Sequence, residues 1–84
     1  MNDASDIHPD AELDASGLEC PLPVLKAKKA LKTMEAGSTL RVVATDPGAL
    51  RDFGHFCEAT GDELLSAEEA EGVLTFVIRK AAAA

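Results

Sequence analysis

The stretch Gly17–Met34, GLECPLPVLKAKKALKTM, decides how the chain folds. A period-two pattern runs into it and a helical pattern runs out of it. Upstream, Leu13 and Ala15 alternate with Glu12 and Asp14, which suits a short strand with one wet face ended by Gly17. Downstream, Val24, Ala27, Leu31 and Met34 fall three or four residues apart and line one face of a helix. Pro23 is acceptable in the first turn of that helix, where its missing N–H is no loss. Gly37 is expected to close the helix at its C′ position. Cys20 therefore stands at a strand-to-helix junction.

The remaining elements follow from the same signals. TLRVVAT is rich in β-branched residues and predicts a mostly buried strand. Asp46 is expected to N-cap a second helix with Pro47 at its first position, and Gly61 to end it. Leu50, Phe53, Phe56, Cys57 and Thr60 form its expected inner face, and Gly54 within it costs about 1 kcal/mol relative to Ala. A short strand over 63–66 and a stronger one over 73–79 flank the polar turn at Glu71–Gly72 and are expected to pair as an antiparallel hairpin. The order is β-α-β-α-β-β, and a right-handed crossover makes the first two strands parallel or near neighbours. The predicted fold is an α/β (α+β) two-layer sandwich: a four-stranded mixed sheet with both helices on one face and the other face largely open. Residues 1–10 are expected to be a mobile arm, 11–80 a single domain and 81–84 a tail.

Composition narrows the functional classes. The chain has 84 residues, enough for one small domain, and 46 % of them are hydrophobic. No apolar run reaches the roughly 18 to 20 residues of a membrane span. The opening MNDASDIHPD is acidic, the opposite of a secretory n-region, so a cytoplasmic location is expected. In that compartment Cys20 and Cys57 are expected as free thiols. With 15 acidic against 8 basic residues, the formal net charge is −7, which gives no broad attraction for nucleic acid. Lys26, Lys28, Lys29 and Lys32 nevertheless put half of the basic residues on the segment that follows Cys20.

Cys20 carries the chemistry. At a helix N-terminus the free N–H groups and the macrodipole favour an anion, hence a thiolate. Glu19 acts the other way, and the lysines help only where their side chains reach back, so the net direction is left open by the sequence. Pro23 occupies the position at which a CxxC motif would place its second thiol, which argues against a dithiol redox cycle. A Cys–His hydrolase would need His8 or His55 as base, and neither stands in a catalytic context. The spacing of Cys20, Cys57, His8 and His55 offers no zinc pairing, so no metal is expected. Cys57, at helical spacing from Phe53, is read either as a small buried hydrophobe or as a second functional thiol.

GLECPLPVLKAKKALK resembles the Cys-Pro-x-Pro signature of the TusA/SirA family of small sulfur-carrier proteins, and ATDPGALRDF and FCEATGDEL extend the resemblance over residues 11–80. It implies the same β-α-β-α-β-β fold. It also implies that Cys20 accepts a sulfane sulfur from a cysteine desulfurase, holds it as a persulfide and relays it to a downstream acceptor protein. The best-known end of such a relay is 2-thiolation of transfer-RNA wobble uridine; molybdenum-cofactor synthesis and sulfur oxidation are others. Gly17, Glu19, Pro21 and Pro23 are the supporting positions of the motif. Cys57 matches a second cysteine of TusA-like members, and the four lysines offer a docking face for an acidic partner. Gly54 and His55 depart from the segment found in many relatives. No cofactor, direct nucleic-acid contact or membrane contact is implied. A chain with the same fold used as a regulatory or interaction module, Cys20 being only structural, is the alternative from a different class.

Overall fold

Strand β1 (Ala11–Ala15) pairs in parallel with β2 (Thr39–Ala44), in the register Leu13 opposite Val42 and Ala15 opposite Ala44. Two parallel neighbours need a crossover, and helix α1 (Leu22–Lys32) supplies it. Helix α2 (Ala49–Thr60) leads from β2 to β3 (Glu63–Ala70), which turns back into β4 (Val73–Arg79). The four strands form one mixed sheet in the order β1-β2-β4-β3, with β4 antiparallel to both neighbours. The computed structural model describes residues 10–81, and the fold is the two-layer sandwich that the sequence predicts. Most of the expected arm, including His8, and residues 82–84 of the tail lie outside the described residues. Asp10 exchanges hydrogen bonds with Thr39 just ahead of β1.

Alternation places Leu40, Val42 and Ala44 of β2, and Leu74, Phe76 and Ile78 of β4, on the helical side, where all six are buried. Ala27 and Leu31 of α1 and Ala49, Phe53 and Cys57 of α2 close over them. Phe53 stacks on Phe76 with ring centroids 4.6 Å apart and meets Phe56 edge-on at 6.5 Å. Truncating a buried ring of this kind costs about 3–5 kcal/mol. The opposite face of the sheet carries Glu12, Arg41, Thr75, Val77 and Arg79. Two cross-strand ion pairs lie at exposed positions there, Arg41–Glu12 at 3.8 Å and Arg79–Glu63 at 2.6 Å. Exposed pairs contribute at most about 1 kcal/mol each.

Four local expectations are corrected. Helix α1 ends at Lys32 with Thr33 as its cap, so Gly37 does not close it. Gly37 instead turns the chain into β2 at φ +88°, its N–H bonded to the Lys80 carbonyl at the far end of β4. Helix α2 starts at Ala49 and not at Pro47. The Asp46 carboxylate accepts from the Gly48 N–H at 2.9 Å, which makes a side-chain turn ahead of the helix. The inner face of α2 then follows Ala49, Phe53 and Cys57, and it leaves Leu50 and Thr60 exposed. Strand β3 runs four residues beyond Ser66, because an edge strand bonds one neighbour only and tolerates the polar run Glu68–Glu69.

Three positive-φ residues fix ends as expected. Gly61 caps α2 in the left-handed conformation, its N–H on the Cys57 carbonyl at 2.9 Å. Glu71 (φ 53°) and Gly72 (φ 82°) form the two-residue turn of the β3–β4 hairpin.

Candidate functional site

Because β1 and β2 are parallel neighbours, the turns that follow them meet at one end of the sheet. The first turn carries Ser16–Pro21 into α1, and the second carries Thr45–Gly48 into α2. Gly17, at φ +80°, donates its N–H to Thr45 Oγ1 at 2.9 Å and ties the two turns together. Crevices at the carboxyl ends of parallel strands are the usual place for chemistry in such sheets.

Cys20 lies in this junction, exposed, two residues ahead of α1. The Glu19 carbonyl accepts from the Leu22 N–H at 2.8 Å and the Pro21 carbonyl from the Leu25 N–H at 3.1 Å, so the motif's backbone starts the helix. Pro23 is buried and anchors the first turn, while Glu19 and Pro21 face solvent. Leu22 and Leu25 on α1 and Leu50 on α2 are exposed apolar side chains in the first turns of the two helices.

The second turn supplies residues that motif reasoning did not single out. Cys20 Sγ donates to the carboxylate of Asp52, in the first turn of α2. A Cβ added at Gly48 would stand 3.0 Å from Asp46 Oδ2 and 4.0 Å from the Cys20 Cβ, so the loop backbone packs closely beside the thiol. The hydrogen bond to Asp52 raises the Cys20 pKa above the ordinary thiol value. Desolvation and the negative charges of Asp52 and Asp46 act in the same direction, and Arg51 opposes them. The direction left open by the sequence is thus upward. Asp52 is the acidic residue in the first turn of α2, and none of the four lysines is among the charges acting on the thiol.

The other predicted residues are not gathered here. Cys57 is buried between α2 and the sheet, and burial pushes its thiol up to about 11. His55 is exposed on α2 one turn beyond Asp52. Lys26, Lys28, Lys29 and Lys32 are exposed on α1. Lys28 and Lys32 border a groove with Leu31, Phe56 and Thr60 between the far ends of the helices. From Asp52 to Thr60 along α2 is roughly 12 Å at 1.5 Å per residue, so this groove is separate from the thiol. Among the described residues no group of His, Cys, Asp and Glu is placed to hold a metal ion, and no helix is long and apolar enough to cross a membrane.

Fold and site together define a small α/β domain that presents one exposed cysteine where two helices begin. Within that class the chain belongs to the TusA family: the family's sequence model, described as Sulfurtransferase TusA, matches residues 11–80. The sulfur carrier protein TusA of Allochromatium vinosum is 54 % identical over 71 residues, covering 84 % of this chain and 93 % of the relative. That of Pseudomonas putida is 45 % identical over 78 residues, covering 93 % and 98 %. Among solved structures, the SirA-like protein of Desulfitobacterium hafniense superposes with a TM-score of 0.68 at 32 % identity, covering 84 % of this chain and 97 % of that one.

Proposed function

We propose that this chain is a cytoplasmic sulfur carrier whose Cys20 takes a sulfane sulfur from a cysteine desulfurase and holds it as a persulfide. The observation that carries this reading is the exposure of Cys20 on the CPLP turn of a chain of the TusA family. In loading, the Cys20 sulfur attacks the outer sulfur of the donor persulfide. The donor's sulfur–sulfur bond breaks as the new one forms, and the donor cysteine departs as a thiolate that takes up the Cys20 proton. Sulfur moves at constant oxidation state, so no outside oxidant or reductant is consumed. In unloading, an acceptor thiolate attacks the outer sulfur of the Cys20 persulfide in the same manner. With Pro23 in place of a neighbouring thiol and Cys57 buried, the persulfide has no intramolecular route of discharge at hand.

The acceptor in this reading is the next protein of a relay that ends in 2-thiolation of transfer-RNA wobble uridine. The net charge of −7 supports a carrier that docks on proteins and leaves the transfer RNA to another subunit. The exposed lysines of α1 are the proposed docking face for an acidic partner surface. The test is intact-protein mass spectrometry after incubation with a cysteine desulfurase and free cysteine. A reductant-sensitive gain of about 32 Da that disappears in Cys20→Ser is the expected result. An unchanged mass with an alkylatable Cys20 would remove the carrier reading and leave an interaction module.

A further inference from the structure

The exposed thiol of this domain is hydrogen-bonded to a carboxylate from the other helix, which is an unusual companion for a nucleophile. Activated cysteines are found beside cations or helix N-termini, where the thiolate is favoured. Here the charged groups around Cys20 are mostly of the opposite kind. Asp52 and Arg51 come from the first turn of α2, Asp46 comes from the β2–α2 loop, and Glu19 is the chain neighbour. On α1 the first cation, Lys26, lies more than a turn into the helix, where it acts on Asp14. Asp46 is itself fixed by the Gly48 N–H, so its charge stays near the site.

We infer that Asp52 is a positioning residue whose carboxylate accepts the S–H of the empty carrier's Cys20 and aims its Sγ along the N-terminal turn of α2. The inference rests on the carrier reading for its biological meaning but not for its physics. In the empty state the S–H donor and the Asp52 acceptor satisfy each other. The resting thiol is thereby shielded from adventitious alkylation, oxidation and mixed-disulfide formation, all of which need the thiolate. In the loaded state Sγ is bonded to sulfur and has no proton to donate. Asp52 then loses its partner and stands beside the terminal persulfide anion, so like charges push the cargo out of the crevice toward an acceptor. One carboxylate thus treats the two states of the carrier oppositely. During loading the proton held between Sγ and Asp52 leaves with the donor thiolate, which balances the exchange described above.

The experiment is the pH profile of iodoacetamide alkylation, read by mass spectrometry of the peptide bearing Cys20, in the full chain with Cys57 intact. Wild type, Asp52→Asn and Asp52→Glu are compared, with far-UV circular dichroism to show that each is folded. Asp52→Asn is expected to move the profile to lower pH and to speed alkylation at pH 7 by at least about twofold, since thiolate fraction rises faster than nucleophilicity falls. Asp52→Glu, which restores the charge, is expected to move the profile back toward wild type. A folded Asp52→Asn protein with an unchanged profile, or one shifted to higher pH, would overturn the inference. Alkylation needs no desulfurase, so a carrier that fails to load would leave this result standing. Normal loading with an unshifted profile would remove the role of Asp52 alone.

Discussion

Cys20 and Asp52 lie 32 positions apart in the chain, yet the thiol of one donates to the carboxylate of the other. Parallel pairing of β1 with β2 brings the two turns to one end of the sheet, and each turn starts a helix. Neither helix would place these groups together alone.

Asp46 combines two roles that substitution separates. Asp46→Asn keeps an oxygen for the Gly48 N–H while removing the charge. It is expected to leave the melting temperature close to wild type and to speed Cys20 alkylation at pH 7 by less than Asp52→Asn does. Asp46→Ala removes both and is expected to cost about 1 kcal/mol, the usual net worth of one such hydrogen bond. Thermal melts and the same alkylation assay check both outcomes.

The buried thiol of Cys57 makes stability fall in alkali. Its folded pKa, raised to about 11, lies above that of a free thiol, so the protonated core form is favoured by folding. The contribution is complete below about pH 8.5 and is lost as pH rises toward 11. Between pH 8 and 11 the melting temperature of wild type is expected to drop more than that of Cys57→Ala. The difference corresponds to about 2–3 kcal/mol. Equal slopes for the two proteins would show that Cys57 ionises freely in the fold.

Gly54 is the position in α2 most open to improvement. A Cβ built there meets no atom within 4 Å, and the residue lies inside the helix. Gly54→Ala is expected to stabilise by about 0.5–1 kcal/mol, which is a rise of about 2–8 °C in melting temperature. Calorimetry decides this. A fall in melting temperature would mean that α2 needs the glycine for a reason other than space.

The basic face of α1 is tested by charge reversal. Lys28→Glu with Lys32→Glu is expected to slow loading from the desulfurase and to flatten its dependence on ionic strength. Cys20 alkylation is expected to be unchanged, because neither lysine acts on the thiol. Loading at the wild-type rate would restrict docking to other surfaces.

Much of this was legible in the sequence because hydrophobic periodicity and turn chemistry agree. Ala27 and Leu31, Phe53 and Cys57, and the alternation from Leu74 to Ile78 mark their faces unambiguously. The losses came where one signal served two uses. Asp46 followed by Pro47 has the form of a helix start, but the carboxylate bonds the Gly48 N–H before the helix begins. Gly37 follows a helix at a distance that suits a cap, yet its positive φ belongs to the entry of β2. Within the site, the CPLP motif identified Cys20 from local pattern alone. Asp52 has no local signature, since an acid in a first helical turn is commonplace. Only the parallel pairing of β1 and β2, combined with helix phase, points it at the thiol.

The sheet's outer edge bears on how such molecules behave when crowded together. Strand β3 slips register between Leu64 and Ser66 and carries Glu63, Glu68 and Glu69, with Glu71 in the turn beyond. A bulge and a row of like charges make a poor template for another strand. Copies that meet along β3 repel instead of zippering into fibrils, so this edge of the sheet is closed to growth by a further strand.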